Sequence, residues 1–223
     1  MEPEPHPYGD WERGDVSPFI PPTVRSVLDV GCSFGAFGLG LKRDRPGIEV
    51  WGLEPNVEAA TVARARLDRV VIGRFPADAP DRLFDCIVFN DVLEHLEDPW
   101  SVLKHVKSLL SPGGCVVASL PNIRHFSVLV PLVLKGRWTY RDVGILDRTH
   151  LRFFTRSTMV ELFESTGWRV DRIDPSRMSQ PEEGEVPRML TLLGRRAEEF
   201  RAKNYVVVAS QLSDGPRPPS ARR

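Results

Sequence analysis

The sequence predicts a doubly wound α/β domain built on a mostly parallel sheet. Three observations predict it. Short apolar runs alternate with amphipathic helical stretches from Ser26 onward. The runs are continuously apolar rather than alternating, as strands covered on both faces are. A glycine-bearing turn, Gly31-Cys32-Ser33-Phe34-Gly35, follows the first run, where an open α/β sheet binds nucleotides.

The elements follow in order. Ser26–Val30 reads as the first strand and Phe34–Arg43 as the helix after it, stopped by Pro46-Gly47. Ile48–Leu53 reads as strand two, and Asn56–Leu67 as a helix with Asn56 at its N-cap. Arg69–Ile72 and Phe84–Asn90 are the third and fourth strands. Asp98-Pro99 opens a helix, a capping carboxylate followed by proline at the first helical position. Trp100, Leu103, Val106 and Leu110 mark one face of that helix, Ser111-Pro112-Gly113-Gly114 ends it, and Cys115–Leu120 is strand five. After an insert at about 121–154, a helix begins near Thr155 and ends at Gly167. Trp168–Ile173 and Asn204–Leu212 close the set as two further strands, giving seven. Met189, Leu190, Leu193, Ala197 and Phe200 mark a helix between them.

Composition bounds the rest. The chain has 223 residues, enough to bury a core without disulfides or metals. Lys+Arg and Asp+Glu both number 30, so no basic footprint for nucleic acid is present. Cys32, Cys86 and Cys115 lie far apart without a C-x-x-C pair and are expected as buried, reduced thiols. The start, Met1-Glu2-Pro3-Glu4-Pro5, has neither the basic nor the apolar region of a secretory signal. The longest apolar stretch, Phe126 to Leu134, is too short to span a bilayer, which needs about 20 residues. A cytoplasmic protein, monomeric or homodimeric, is the expectation. Residues 1–23 read as an irregular, proline-rich arm with Tyr8, Trp11 and Phe19 as apolar anchors. Residues 24–212 form the domain, and 213–223 a disordered tail.

The chemistry concentrates at the first turn. Asp29 stands two residues before Gly31, and Glu54 closes strand two. An acid at the latter place accepts two hydrogen bonds from a ribose diol. A dinucleotide loop of the G-x-G-x-x-G type would place pyrophosphate there, and Asp29 would repel it. The carboxylate suits a ligand carrying an ammonium and a sulfonium beside its ribose, such as S-adenosylmethionine. A nicotinamide-dependent oxidoreductase is the less favoured alternative, and a tight turn without a ligand the simplest one.

With these residues on the page, the sequence resembles the class I S-adenosylmethionine-dependent methyltransferases over about residues 24–212. The D-x-G-x-x-x-G loop, Asp29 to Gly35, matches the family's first motif, with Ser33 where the commonest form has glycine. Phe84-Asp85-Cys86-Ile87-Val88 through Asn90-Asp91-Val92-Leu93-Glu94-His95-Leu96 resembles the strand four motif, and Leu110-Ser111-Pro112-Gly113-Gly114 the turn before strand five. The resemblance implies a Rossmann-like seven-stranded sheet with its last strand antiparallel. It implies that Asp29 and the backbone of Gly31, Cys32, Ser33 and Gly35 face the donor's methionine part. Glu54 takes the ribose, Pro55 or Asn56 borders the adenine, and Asn90 and Asp91 lie below the transferred methyl group. Arg74 stands after Gly73, where many relatives have an acid for adenine, leaving that task to backbone or Asp78.

The insert is expected to form the acceptor side and resembles a bacterial branch acting on small molecules such as sugars, nucleotide-sugars or secondary metabolites. Residues 120–160 carry seven basic side chains against two acids. That excess points to an anionic acceptor held by Arg124, Tyr140, Arg148 and Arg152, or to a solvated face. An oxygen acceptor needs its proton removed, for which His150, then His125, with Asp147 acting itself or orienting a histidine, are the expected groups. His95 is expected to be structural, and His6 and His105 to lie on the surface. The absence of [DN]-P-P-[YF] and of Pro-Cys after strand four argues against nucleic-acid base methylation. No acid–acid–Asn set follows strand five, so no metal is expected. The expected function is O-methylation of a small molecule by in-line transfer, or else cofactor binding in support of another enzyme.

Overall fold

In the computed structural model, residues 11–179 and 196–212 are described. Seven strands form one sheet in the order β3-β2-β1-β4-β5-β7-β6. They are β1 (Ser26–Val30), β2 (Glu49–Glu54), β3 (Arg69–Ile72), β4 (Phe84–Asn90), β5 (Leu110–Pro121), β6 (Trp168–Met178) and β7 (Ala202–Gln211). β7 runs antiparallel to both β5 and β6, and the other neighbours pair in parallel. The expected Rossmann-like sheet with its last strand reversed is present.

The apolar runs are continuous because both sheet faces are covered. Leu28, Val30, Ile87 and Phe89 pack on one face with Leu103, Met159 and Phe163. Val27, Cys86 and Val88 point to the other, against Phe37 and Leu41. Those partners lie on α1 (Ala36–Asp44), α3 (Pro99–Val106) and α5 (Arg156–Ser165); α2 (Val57–Ala63) packs beside β2 and β3. Caps fix where helices begin. The Asp98 carboxylate accepts from Ser101 N–H at 3.0 Å, and Thr155 and Thr158 cap each other reciprocally. Trp168, fully buried, donates its indole N–H to the Leu103 carbonyl at 3.1 Å. Trp100, expected on the same apolar face as Leu103, is instead largely exposed. The three cysteines are free and buried.

From residue 11 the N-terminal arm is irregular apart from a short 3-10 turn at Ser17–Phe19, and it docks on the domain. From Val16 onward it is part of the core: Val16, Ile20 and Val24 are buried beneath α1 and β2. Arg45 clamps it by donating to the carbonyls of Pro21, Ser17 and Ile20 at 3.0, 3.3 and 2.6 Å. Burying each aliphatic side chain contributes about 1.5–3 kcal/mol, enough to hold the arm without regular structure. Trp11 and Phe19 stack under Arg177 and Arg172. Tyr8, the tail and the apolar positions at 189–193 lie outside the described residues, which retain only α6 (Arg196–Arg201) of that helix. The insert holds α4 (Phe126–Lys135) and then runs irregularly to 154. No helix among the described residues is long and apolar enough to cross a membrane.

The order of strands positions the site. From β1 the chain winds outward to β2 and β3, then returns to place β4 on the other side of β1. Loops leaving β1 and β4 therefore diverge, and a cleft opens beyond the carboxyl ends of those strands.

Candidate active site

The cleft has a volume of about 640 Å³. Its floor is the turn after β1. Gly31 and Gly35 have φ of 71° and 77°, and Ser33 adopts φ 49° between them. A Cβ on Gly35 would lie 3.1 Å from the backbone of Ala63, so this glycine lets α1 approach α2 and does not itself line the cleft. Cys32 fits because Gly52 opposite has no side chain: a Cβ there would sit 2.4 Å from the Cys32 sulfur.

Glu54 is fixed by the loops on either side. Its Oε2 accepts from Ser33 N–H and its Oε1 from Asn56 N–H, both at 2.8 Å. An ionised carboxylate has about four acceptor sites, so each oxygen keeps capacity for a hydroxyl. Pro55 lines the cleft beside it. Asn56 does not; its side chain accepts from Ala59 N–H and caps α2. Asp78 accepts from Arg74 N–H at 2.8 Å and stands away from the cleft.

Asp29 is buried at the end of β1, with Asn90 donating to it at 3.5 Å. Burial pushes its pKa up to about 7; the Glu54 charge adds to this, and Arg13 and Asn90 oppose it. A cationic group arriving here would restore the carboxylate. Ser33 Oγ and Asn90 Oδ1, both on the cleft, are buried without a hydrogen-bond partner. Orphaned polar atoms beside a buried acid and a ribose-competent acid fit a donor bearing ammonium, carboxylate and ribose groups.

Asp91, after β4, takes φ 55° and is held from four directions. It accepts from Arg13 Nη1 at 2.9 Å, Ser119 Oγ at 2.6 Å, Asn204 Nδ2 at 2.9 Å and Arg177 Nη2 at 3.5 Å. Arg13 also binds Asp15 and donates to Ser119 Oγ at 2.8 Å. Burial alone would raise the Asp15 pKa, but the hydrogen bond and charge of Arg13, with Arg177, hold it below the usual carboxylate range.

The insert closes the other side of the cleft. Leu151 and Arg152 donate their N–H groups to the Glu94 carbonyl at 2.8 and 3.0 Å, hooking the insert onto the turn after β4. This places His150 in the cleft against His95, with ring centroids 4.7 Å apart. His150 Nδ1 meets the Ile145 carbonyl at 3.0 Å, and its Nε2 lies 4.0 Å from Glu94 Oε1. His95 Nδ1 meets the Thr149 carbonyl at 3.3 Å and Oγ1 at 3.0 Å. Asp147 is buried outside the cleft and accepts from Thr149 N–H and Oγ1 at 2.8 and 2.6 Å. It thus orients His95 through Thr149. Burial, then the Asp91 charge, pushes the Glu94 carboxyl well above its usual range. Burial, then the neighbouring His150, lowers His95.

The other expected residues stand elsewhere. His125 is buried at the N-cap of α4, its ring nitrogens meeting Ser127 Oγ at 2.7 Å and Ser179 Oγ at 3.0 Å. Burial, then the charge of Lys203, lowers its pKa to about 4. That placement is away from the cleft. Arg124 pairs with Glu199 and stacks on Phe200. Arg148 pairs with Asp142, both exposed. Arg152 donates to the Glu97 carbonyl, and Tyr140 is exposed. None of these four lines the cleft. The arginines that do reach the cleft are Arg13 and Arg177, which sequence reasoning missed along with Glu94, His95 and Asn204. Glu94-His95 had a signal, lying inside the strand four motif; Arg13 in a proline-rich arm had none.

Comparison with known proteins places this geometry among relatives. Residues 14–173 match the family model described as a methyltransferase domain. The chain is 34% identical over 157 residues to the ubiquinone biosynthesis O-methyltransferase of Pectobacterium carotovorum, covering 67% of this chain and 64% of that one. It is 25% identical over 152 residues to the protein of the same name from Aeromonas salmonicida, covering 64% and 62%. The chain thus spans less than two-thirds of the length of these curated relatives. Among solved structures, a SAM-dependent methyltransferase from Archaeoglobus fulgidus superposes with a TM-score of 0.62 at 21% identity, covering 84% of this chain and 86% of that one. CalO1, a methyltransferase of calicheamicin biosynthesis crystallised with S-adenosylhomocysteine, gives a TM-score of 0.55 at 20% identity, covering 86% and 50%.

Proposed function

Because the chain belongs to the family of S-adenosylmethionine-dependent methyltransferase domains, we propose that its cleft methylates a hydroxyl oxygen of a small-molecule acceptor. The observation that carries this reading is the lining of the cleft. Asp29 and Glu54 lie at the ends of β1 and β2, Asn90 and Asp91 at the end of β4, and Glu94 and His95 in the turn after β4 with His150 from the insert beside them, and all seven line the cleft.

When bound, S-adenosylmethionine supplies an electrophilic methyl group on sulfur. Glu54 would accept the ribose hydroxyls, its direction set by Ser33 and Asn56 N–H groups. Asp29 would take the ammonium. Glycine is needed at Gly31, whose φ is 71° and where a Cβ would lie 2.7 Å from Val92 Cγ2. Alignment of oxygen, methyl and sulfur supplies much of the acceleration. What remains is to hold the acceptor hydroxyl and ease loss of its proton, and the Glu94–His95–His150 cluster faces that task. Val92, Val143 and Ile145 give the acceptor end apolar walls, which suits a ring or chain carrying the hydroxyl. The arginines of the cleft are matched by Asp15 and Asp91, so an anionic acceptor draws support mainly from Lys203. The relatives named as O-methyltransferases support oxygen as the atom methylated.

The test is a methyl-transfer screen with labelled donor against phenolic, sugar and nucleotide-sugar hydroxyls. Label on oxygen in a neutral hydroxyl-bearing acceptor supports the reading. Label on nitrogen or carbon alone would overturn it.

A further inference from the structure

We propose that Glu94, His95 and His150 form a binding site for a divalent transition-metal ion at the acceptor end of the cleft. One ligand atom from each of the three lies within 4.8 Å of the other two. Two imidazoles and a carboxylate are a donor set for Zn²⁺, Co²⁺ or Mn²⁺. The sequence alone pointed away from any metal, because no acid–acid–Asn set follows strand five; here His150 joins the adjacent Glu94 and His95 from the insert.

Three features go beyond proximity. The first is protonation. A backbone carbonyl only accepts, so His150 must donate its Nδ1–H to Ile145 O, and its Nε2 then carries a lone pair on the side of Glu94. His95 Nδ1 donates by the same argument to the Thr149 carbonyl. Metal-binding histidines are commonly fixed in this way. The second is support behind the ligands. Asp147 holds Thr149 by two hydrogen bonds, and Thr149 holds His95. The third is charge. Arg13 and Arg177 are met by Asp15 and Asp91. Glu94, 1% exposed, has neither oxygen hydrogen-bonded. A buried carboxylate without a partner is costly, and a cation between it and the two rings would remove that cost.

Two ligands about 2.1 Å from an ion in tetrahedral geometry lie about 3.4 Å apart. The present 4.0 Å between His150 Nε2 and Glu94 Oε1 means the side chains would draw in on the ion. The role of the site rests on the methyltransferase reading. A hydroxyl bound to the ion would ionise, its proton passing to water. The oxygen would then form its bond to the methyl carbon as the carbon–sulfur bond breaks, leaving the ether and neutral S-adenosylhomocysteine. Acceptors able to reach the ion through a hydroxyl are the class favoured.

The experiment is a Co²⁺ titration of chelator-treated full-length protein, followed by visible absorption, with Mn²⁺ and Zn²⁺ as competitors. One equivalent is expected to bind and develop ligand-field bands. Glu94→Gln and His150→Ala should each weaken binding at least tenfold. Thr149→Ala should weaken it about 10- to 100-fold, as expected for a group that orients a ligand. His105→Ala, at an exposed histidine, should change nothing. Glu94→Gln removes only a buried charge, and a preserved melting curve shows that it folds. Absence of Co²⁺, Mn²⁺ and Zn²⁺ binding, or binding undiminished in both ligand variants, overturns the proposal and leaves the cluster to the acceptor hydroxyl alone. S-adenosylhomocysteine titrated into the same samples reports on Asp29 and Glu54 and separates the two readings. Its binding without the ion sinks the metal site alone; its failure to bind sinks the methyltransferase reading and leaves the ion result to be judged on its own.

Discussion

The Arg13 guanidinium donates to the Asp91 carboxylate at 2.9 Å, joining the N-terminal arm to the turn that follows β4. Both side chains are mostly buried, at 8% and 16% exposure. Removing one partner of a buried pair costs about 3–5 kcal/mol, and Arg177 at 3.5 Å keeps this near the lower end. Arg13→Ala is therefore expected to lower the melting temperature clearly and to raise the KM for the methyl donor. An unchanged melting temperature would show that the arm does not dock.

Glu54 separates binding from folding. Glu54→Ala is expected to weaken S-adenosylhomocysteine by about 1.5–3 kcal/mol, roughly 10- to 150-fold in Kd, as hydrogen bonds to a charged group do. Titration calorimetry checks this. Ser33 and Asn56 N–H groups lose their acceptor at the same time, so some loss of thermal stability should accompany it.

Asp29 gives binding a pH dependence. Its pKa stands at about 7 in the free protein, and an ammonium nearby would lower it. Binding should then release a proton near pH 6, and affinity should fall about tenfold per unit below pH 7. The enthalpy at pH 6 should vary with the ionisation enthalpy of the buffer, and Asp29→Asn should abolish the effect. A flat profile in the unaltered protein would falsify it. The sign for stability runs the other way. The folded pKa is raised from 3.8, so the ligand-free protein loses stability as pH rises from about 4 through 7. Asp29→Asn should stabilise it above that range.

The two histidines of the insert should part company. His150→Ala is expected to lower kcat about 100-fold or more, the usual scale for a group that manages a proton. His125→Ala should leave kcat in place and lower the melting temperature, since it removes a helix cap worth about 1 kcal/mol and the contact to Ser179. The reverse result would exchange their roles.

That Asp29, Gly31, Ser33 and Glu54 would meet in one place was legible in the sequence because the grouping is local. Asp29, Gly31 and Ser33 share one turn, and Glu54 closes the neighbouring strand in register with β1. The seven strands were legible for a similar reason: two covered faces make short, uninterrupted apolar runs. The acceptor half was not, because its members meet only through topology. Arg177 lies beyond the expected end of its strand at Ile173; β6 continues to Met178 through register shifts. The charge count at 120–160 does not reveal pairing: Arg124 and Arg148 find carboxylates and Arg152 a carbonyl. His125 misled because a cap and a base look alike in sequence.

The convergence on Asp91 has a consequence for biosynthesis. Its partners Arg13 and Asn204 lie 78 positions before it and 113 after it. The bond to Asn204 cannot form on the ribosome until the chain has emerged through β7. Contacts of such wide sequence separation form late and slow the search for the native state. A nascent chain can pair β1 to β5 early, yet the charge at Asp91 stays only partly answered until the final strand slots between its neighbours. The turn at Asp91 is therefore complete only once β7 is in place, and a product truncated before β7 should be folded in part and bind S-adenosylhomocysteine poorly.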